Sequence, residues 1–173
     1  MANMLPKKVL CVCLGNICRS PTAEAVLRHF FVQNHLEIMV DSAGTAAYHI
    51  GEAPDERSQK YALQRGYDLS HLRARQLQPH DFVNFDLILA MDLQNLKDIQ
   101  KKQQQALHQF GQDACKALVT LMSAHDEQRK NQAIADPYYG QASDFEKVID
   151  DCESASQAWV KFLKDSNNKV KTP

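Results

Sequence analysis

Three of the five cysteines, Cys11, Cys13 and Cys18, fall within eight residues, and Arg19 and Ser20 follow directly. The stretch Cys13-Leu14-Gly15-Asn16-Ile17-Cys18-Arg19-Ser20 joins an apolar run to a helical pattern. Consecutive backbone amides in such a turn curl into a concave nest, and the helix that follows aims its positive end at the same point. The product is an anion site. Arg19 adds a planar fork of donors matched to two oxygens of a tetrahedral phosphate. Cys13 stands at the floor of this cradle, where amides, helix terminus and Arg19 all favour a negative sulfur. A thiolate under a bound phosphate is a nucleophile for phosphoryl transfer, and the loop can neutralise the equatorial oxygens without a metal ion or cofactor. The departing alkoxide or phenoxide needs a proton, so a carboxylic acid must reach over from another loop. Asp136, in the turn sequence Asp136-Pro137-Tyr138-Tyr139-Gly140, is the best candidate. The rings beside it, Tyr138 and Tyr139, suit the wall of a slot for a flat phenyl group.

Other readings of the same residues are weaker. Cys11-x-Cys13-x4-Cys18 lacks the second pair of ligands that zinc sites use at short spacings. Cys11, Cys115 and Cys152 read as buried core thiols, the common fate of unpaired cysteine. Arg19 has no acidic neighbour before Glu24, which argues against an ordinary surface ion pair. Taken alone, Asp136 is as much a turn residue as an acid. The seven histidines are scattered and none has ligand spacing.

The wider composition limits the function classes. The chain has 173 residues, one domain's worth. Lys plus Arg number 20 against 21 for Asp plus Glu, a net charge of −1, without the basic excess of a nucleic-acid binder. With 44% apolar and 24% charged residues it reads as globular rather than disordered. No apolar run precedes the lysines near the N-terminus, and no stretch approaches the roughly 18 apolar residues of a membrane span. The expectation is a cytoplasmic protein with reduced thiols and no structural disulfides. A monomer without metal or cofactor is expected.

The elements that must hold these residues follow from periodicity. Val9-Leu10-Cys11-Val12-Cys13-Leu14 is an uninterrupted apolar run of the kind buried on both faces of a parallel sheet. Ala23, Val26, Leu27, Phe30 and Phe31 lie at helical spacing behind it, with Pro21 in the first turn. Strands are predicted at 38–42, 85–90 and 117–122. A helix is expected from Pro54 or Asp55 to Gly66, and another from an Asp92 cap to Gly111. The last helix should start on the capping box Ser143-Asp144-Phe145-Glu146 and carry Val148, Ile149, Cys152, Ala155, Trp159, Phe162 and Leu163 inward. Residues 166–173 read as a polar, frayed tail after an ordered core of 7–165. Strands alternating with helices give a single α/β domain: a roughly four-stranded parallel sheet with helices on both faces and the phosphate-binding loop after the first strand.

At these residues the sequence resembles the low-molecular-weight protein tyrosine phosphatases. Cys-x5-Arg-Ser at the first strand-helix turn and the late Asp-Pro-Tyr-Tyr carry the resemblance, joined by Asp41-Ser42-Ala43-Gly44-Thr45, Ala90-Met91-Asp92 and Asn95. It covers roughly Lys8 to Leu163. It implies hydrolysis of phosphotyrosine in a protein or peptide through a phosphocysteine. Cys13 would be the nucleophile, Arg19 the phosphate clamp, and Asp136 the acid and then the base. It further implies that Ser20 donates to the Cys13 sulfur and that Asn16, bonded to Ser42, holds the loop's shape. Tyr138 would flank the substrate ring, with Tyr48 across the entrance where the family often has tryptophan. Cys18 would form a reversible disulfide with Cys13. One position departs from the pattern: the histidine expected before the Arg73-Ala74-Arg75-Gln76 stretch is Leu72, with His71 one residue earlier. Arsenate reductases share the loop but relay electrons through two cysteines close together downstream, and Cys115 and Cys152 make no such pair. Protein arginine phosphatases typically carry threonine where this chain has Ile17. A catalytically idle phosphotyrosine-binding module is disfavoured by the intact Cys13, Arg19 and Asp136.

Overall fold

A computed structural model describes residues 5–171 of the chain. Val9, Leu10, Cys11 and Val12 are wholly shielded from solvent, so the first strand, β1 (Lys8–Cys13), is covered on both faces. It pairs in parallel with β2 (Met39–Gly44) on one side and β3 (Leu87–Ala90) on the other. The latter pairs in parallel with β4 (Leu118–Leu121), giving a four-stranded sheet of order β2-β1-β3-β4.

Alternation along β1 divides the interior in two. Val9, Cys11 and Cys13 meet α1 (Arg19–Gln33) and α5 (Ala142–Lys171) in one core. Leu10 and Val12 face a second core with Phe82, Ile99 and Ala106, covered by α4 (Leu93–Phe110). Because the chain leaves β1 toward β2 and returns past it to β3, the strand order reverses between β1 and β3. In open α/β sheets a ligand crevice forms beyond the carboxyl ends of the strands at such a reversal. Cys13 ends β1 at that place.

Local chemistry sets the element ends. Asp55 caps α2 (Glu56–Gln64), accepting from the Arg57 amide at 2.8 Å. Gly66 then turns the chain at φ +88, in the left-handed region that glycine tolerates. The strand expected at 85–90 begins only at Leu87. Phe85 instead closes a short helix, α3 (Asp81–Asn84), that the sequence pattern did not reveal. Asp86 binds the Lys7 and Lys8 amides through its side chain. The last helix starts before the expected capping box. Asp144, not Ser143, does the capping: its Oδ2 accepts from the Gln141 amide at 2.7 Å, which is half of a box shifted toward the N-terminus. Phe162, placed in the inward stripe, is instead 41% exposed and stacks on His125. Residues 166–171, read as tail, are helical, and the Ser166 hydroxyl donates to the Phe162 carbonyl. Residues 1–4 and 172–173 lie outside the described residues. Among the described residues no helix is long and apolar enough to cross a membrane.

Candidate active site

The turn from β1 into α1 is held by Asn16, whose backbone sits at φ +58. Asparagine is among the few non-glycine residues that visit this region readily. Its side chain reaches three neighbours. Nδ2 donates to Ser20 Oγ at 2.8 Å and to Ser42 Oγ at 2.9 Å, and Oδ1 accepts from the Arg75 amide at 3.0 Å. One buried amide thus ties the loop to α1, to β2 and to the stretch before α3. Behind Ser42 stands Glu24, which accepts from the Ser42 hydroxyl at 2.9 Å and from Arg28 at 2.8 Å. Burial pushes the Glu24 carboxyl above its ordinary pKa, against the pull of Arg28 and Ser42. Gly44 is required where β2 meets the loop, since a Cβ there would lie 2.6 Å from the Leu14 carbonyl oxygen.

Cys13 Sγ receives the Asn16 amide at 3.3 Å and lies 3.1 Å from Ser20 Oγ. The Ser20 hydroxyl has one proton and two acceptors in reach, this sulfur and the Ala43 carbonyl at 3.2 Å. A neutral thiol can donate to Ser20, which then donates to Ala43. A thiolate can only accept, so the same hydroxyl rotates toward it.

Arg19 is almost wholly buried, and its anchors were missed in the sequence. Nη1 donates to Asp92 Oδ2 at 2.6 Å and to the Ile134 carbonyl at 3.1 Å. Nη2 approaches Asp136 Oδ2 at 3.5 Å. Arg19 has no acidic neighbour before Glu24 in the sequence, but it does not stand unpaired: the partner, Asp92, comes from the end of β3. Asp92 divides its oxygens, with Oδ1 capping α4 through the Asn95 amide at 2.7 Å and Oδ2 holding Arg19. A cap signal at Asp92 was visible in the sequence, but its second oxygen was not. Burial lowers the Arg19 pKa, yet Cys13, Asp92 and Asp136 together raise it above the ordinary value. With Nη1 so engaged, Nε–H and the Nη2 proton not turned to Asp136 remain to meet an anion.

Asp136 lies across a cavity of about 210 Å3 from this loop. Its Oδ1 accepts from the Tyr138 amide at 3.1 Å, the local turn that orients the carboxyl group. Leu14, Gly15, Ile17 and Cys18 line the cavity with Cys13, Arg19 and Asp136, and the rings of Tyr48, Tyr138 and Tyr139 stand around it. Two further residues enter that the sequence did not suggest. His49 also lines the cavity, over Gly15. The Arg57 guanidinium lies 5.5 Å from the centre of the Tyr138 ring and 4.6 Å from that of Phe145. Asn16, Ser20 and Ser42 sit beneath the cavity rather than in its wall.

The remaining candidates separate by position. Cys18 packs with Ile17, Ala74 and Phe145, and burial pushes its thiol up to about 12. Cys11 and Cys152 are wholly buried in the core shared by α1 and α5, whereas Cys115 packs on the opposite core. An electron relay between Cys115 and Cys152 would have to cross the sheet. Among the described residues, no group of three or more His, Cys, Asp or Glu side chains could hold a metal ion. His71 is exposed and Leu72 packs against the core, so neither bonds to the loop. The Arg75 amide meets Asn16 instead.

Residues 8–169 match the profile of the family described as low molecular weight phosphotyrosine protein phosphatase. The phosphatase of that description from Homo sapiens is 44% identical over 162 residues, covering 92% of this chain and 98% of that protein. The chain belongs to this family. A putative low molecular weight protein-tyrosine-phosphatase from a Synechocystis strain is also 44% identical, over 86% of this chain and 90% of its own length. Among solved structures of similar proteins, a protein tyrosine phosphatase of Entamoeba histolytica with Hepes in its active site superposes with a TM-score of 0.79. It is 36% identical and covers 91% of this phosphatase-family chain and 97% of its own. A Drosophila arginine phosphatase is 29% identical with a TM-score of 0.81, over 91% and 98% of the two chains.

Proposed function

We propose that this protein hydrolyses phosphotyrosine in proteins or peptides, and small aryl phosphates, through a cysteinyl-phosphate intermediate and without a metal ion. The observation that carries the reading is the convergence of the Cys13 sulfur, the Arg19 fork and the Asp136 carboxyl group on one cavity. The phosphoryl group sits on the loop amides, with two oxygens on the Nε–H and Nη2 edge of Arg19. Cys13 Sγ attacks phosphorus, and the phosphorus–oxygen bond to the tyrosyl ring breaks as Asp136 gives that oxygen its proton. Asp136, now a carboxylate, takes a proton from the water that attacks the phosphocysteine. The sulfur leaves as a thiolate, receiving the Ser20 hydroxyl bond that was divided with Ala43.

An aryl rather than guanidinium leaving group is supported by the three tyrosine rings at the entrance and the apolar Ile17 in the cavity wall. In this reading Cys18 acts as a resolving thiol: peroxide oxidises the Cys13 thiolate to a sulfenic acid, and Cys18 displaces water to form the disulfide. Five cysteines in thiol form fit a reducing compartment such as the cytoplasm. A monomer accounts for the site, since every group in the reaction comes from one chain.

Purified protein in EDTA should hydrolyse p-nitrophenyl phosphate and a phosphotyrosyl peptide. Cys13→Ser should reduce turnover by about 10⁴-fold or more with an unchanged melting temperature. Undiminished turnover in that variant refutes the mechanism. Faster release of phosphate from phosphoarginine than from phosphotyrosine would move the assignment to the arginine class.

A further inference from the structure

Beside the phosphate cavity lies a second, of about 270 Å3, that shares Leu14 and Tyr48 with it and is otherwise lined by Thr45, Ala46, Asp98 and Lys102, among others. One wall is the backbone that follows β2, and the other is the flank of α4. One charged group in this cavity lacks a partner. Lys102 is half-buried and has no ion pair among the described residues. Asp98, which could neutralise Lys102, is engaged elsewhere: Gln94 Nε2 reaches its two oxygens at 3.3 and 3.2 Å, and Lys101 lies 3.8 Å away.

A half-buried cation without an acceptor, set in the wall of a cavity, makes a site for an oxyanion. The adjacent Asp98 charge sets which one, because it opposes a dianion more strongly than a single negative charge. A carboxylate fits better than a second phosphate. The shared wall then decides where that carboxylate comes from. A substrate whose phosphotyrosine fills the first cavity must pass its neighbouring residues over Leu14 and Tyr48, and both side chains are exposed for such a contact.

We infer that the second cavity is a specificity subsite for an acidic side chain close in sequence to the phosphotyrosine, with Lys102 as the recognising cation. The inference rests on the phosphatase reading of the adjoining cavity. Lys102 does not touch the reacting phosphate, so its removal should change which peptides are good substrates and leave the chemistry alone.

The test is a set of phosphotyrosyl peptides identical except for Glu, Ala or Lys at the two positions on either side, run beside p-nitrophenyl phosphate. The best Glu peptide should exceed its Ala counterpart in kcat/KM by about fivefold at low salt, mainly through KM, with the advantage shrinking as salt is added. Lys102→Met, which keeps the apolar stem in its half-buried position, should abolish that advantage while p-nitrophenyl phosphate is turned over as before. Lys102→Glu should transfer the preference to a Lys peptide. Lys101→Met should leave it in place, which separates this subsite from general surface charge. A Glu advantage that survives Lys102→Met, or that is missing in the unsubstituted protein, overturns the inference. Failure of the unsubstituted protein to turn over p-nitrophenyl phosphate overturns the phosphatase reading itself, and the two failures are told apart by that control.

Discussion

Asn16, Ser20 and Ser42, beneath the sulfur, are no more than 5% exposed and bond to one another, to the sheet and to the Arg75 amide. Across the same cavity, the Asp136 side chain is 46% exposed and Tyr139 is 97% exposed. The half that holds phosphate is thus built into the core, while the half that supplies the proton stands on a surface turn. The requirements differ. Charge stabilisation works through donors fixed before the substrate arrives, whereas an acid must reach substrates of different shape and then meet water. Substitutions of the bonded side chains beneath the sulfur, Asn16, Ser20 and Ser42, should therefore cost stability and activity together, and those in the second half should cost activity alone.

Asp136→Ala tests the second half and should have the largest effect of the set. Its kcat on phenyl phosphate, a poor leaving group, should fall by about 10²–10⁴-fold, with a smaller loss on p-nitrophenyl phosphate. Thermal unfolding should be unchanged, and a marked drop in melting temperature would erase the contrast. Asn16→Ala is the counterpart in the first half. It strips partners from Ser20, Ser42 and the Arg75 amide and places alanine at a left-handed φ. A loss of about 3 kcal/mol in urea denaturation is expected, together with reduced kcat. Full stability would show that the loop is not held as described.

Asp92 joins the two requirements in one carboxylate. Asp92→Ala should lose about 1 kcal/mol from the α4 cap and about tenfold in kcat/KM, as Arg19 loses its anchor. Asp92→Asn retains an oxygen for the Asn95 amide, so stability should return while the kinetic defect remains. Recovery of both would assign Asp92 to the helix alone. The smallest and most specific effect concerns Cys18. Because burial holds its thiol up to about 12, the thiolate needed to close a disulfide is scarce at neutral pH. Peroxide-driven formation of the Cys13–Cys18 disulfide should be slow and should quicken by about tenfold per pH unit above neutrality. A plateau near pH 8 would show that the thiol is not held up.

Much of the phosphate-holding half was legible because it is contiguous: Cys13 to Ser20 spans one turn, and its amides, glycine and arginine state their use in order. Asp92 shows the limit. Its cap was readable from Leu93, Leu96 and Ile99 behind it, but its second oxygen meets Arg19 only because β3 lies beside β1. The last helix shows a different limit, since Ser143 and Glu146 fit a capping box as well as the cap that forms from Asp144 to Gln141. Local pattern pointed to the Ser143 start, and the folded chain uses the earlier one.

By itself, then, the chain determined that a thiol, a guanidinium and a set of amides would meet at the end of a buried strand, because those groups are neighbours along the backbone and strand and helix impose their directions. The tertiary structure decided which groups come from elsewhere. Strand order brought Asp92 to Arg19, and the turn after Ile134 brought Asp136 across the cavity. The approach of the backbone after β2 to α4 set Lys102 beside Tyr48. These contacts join residues far apart in sequence, and no periodicity specifies them. They form because the sheet seats β1 between β2 and β3, so that loops distant in sequence end at the same edge of the parallel sheet.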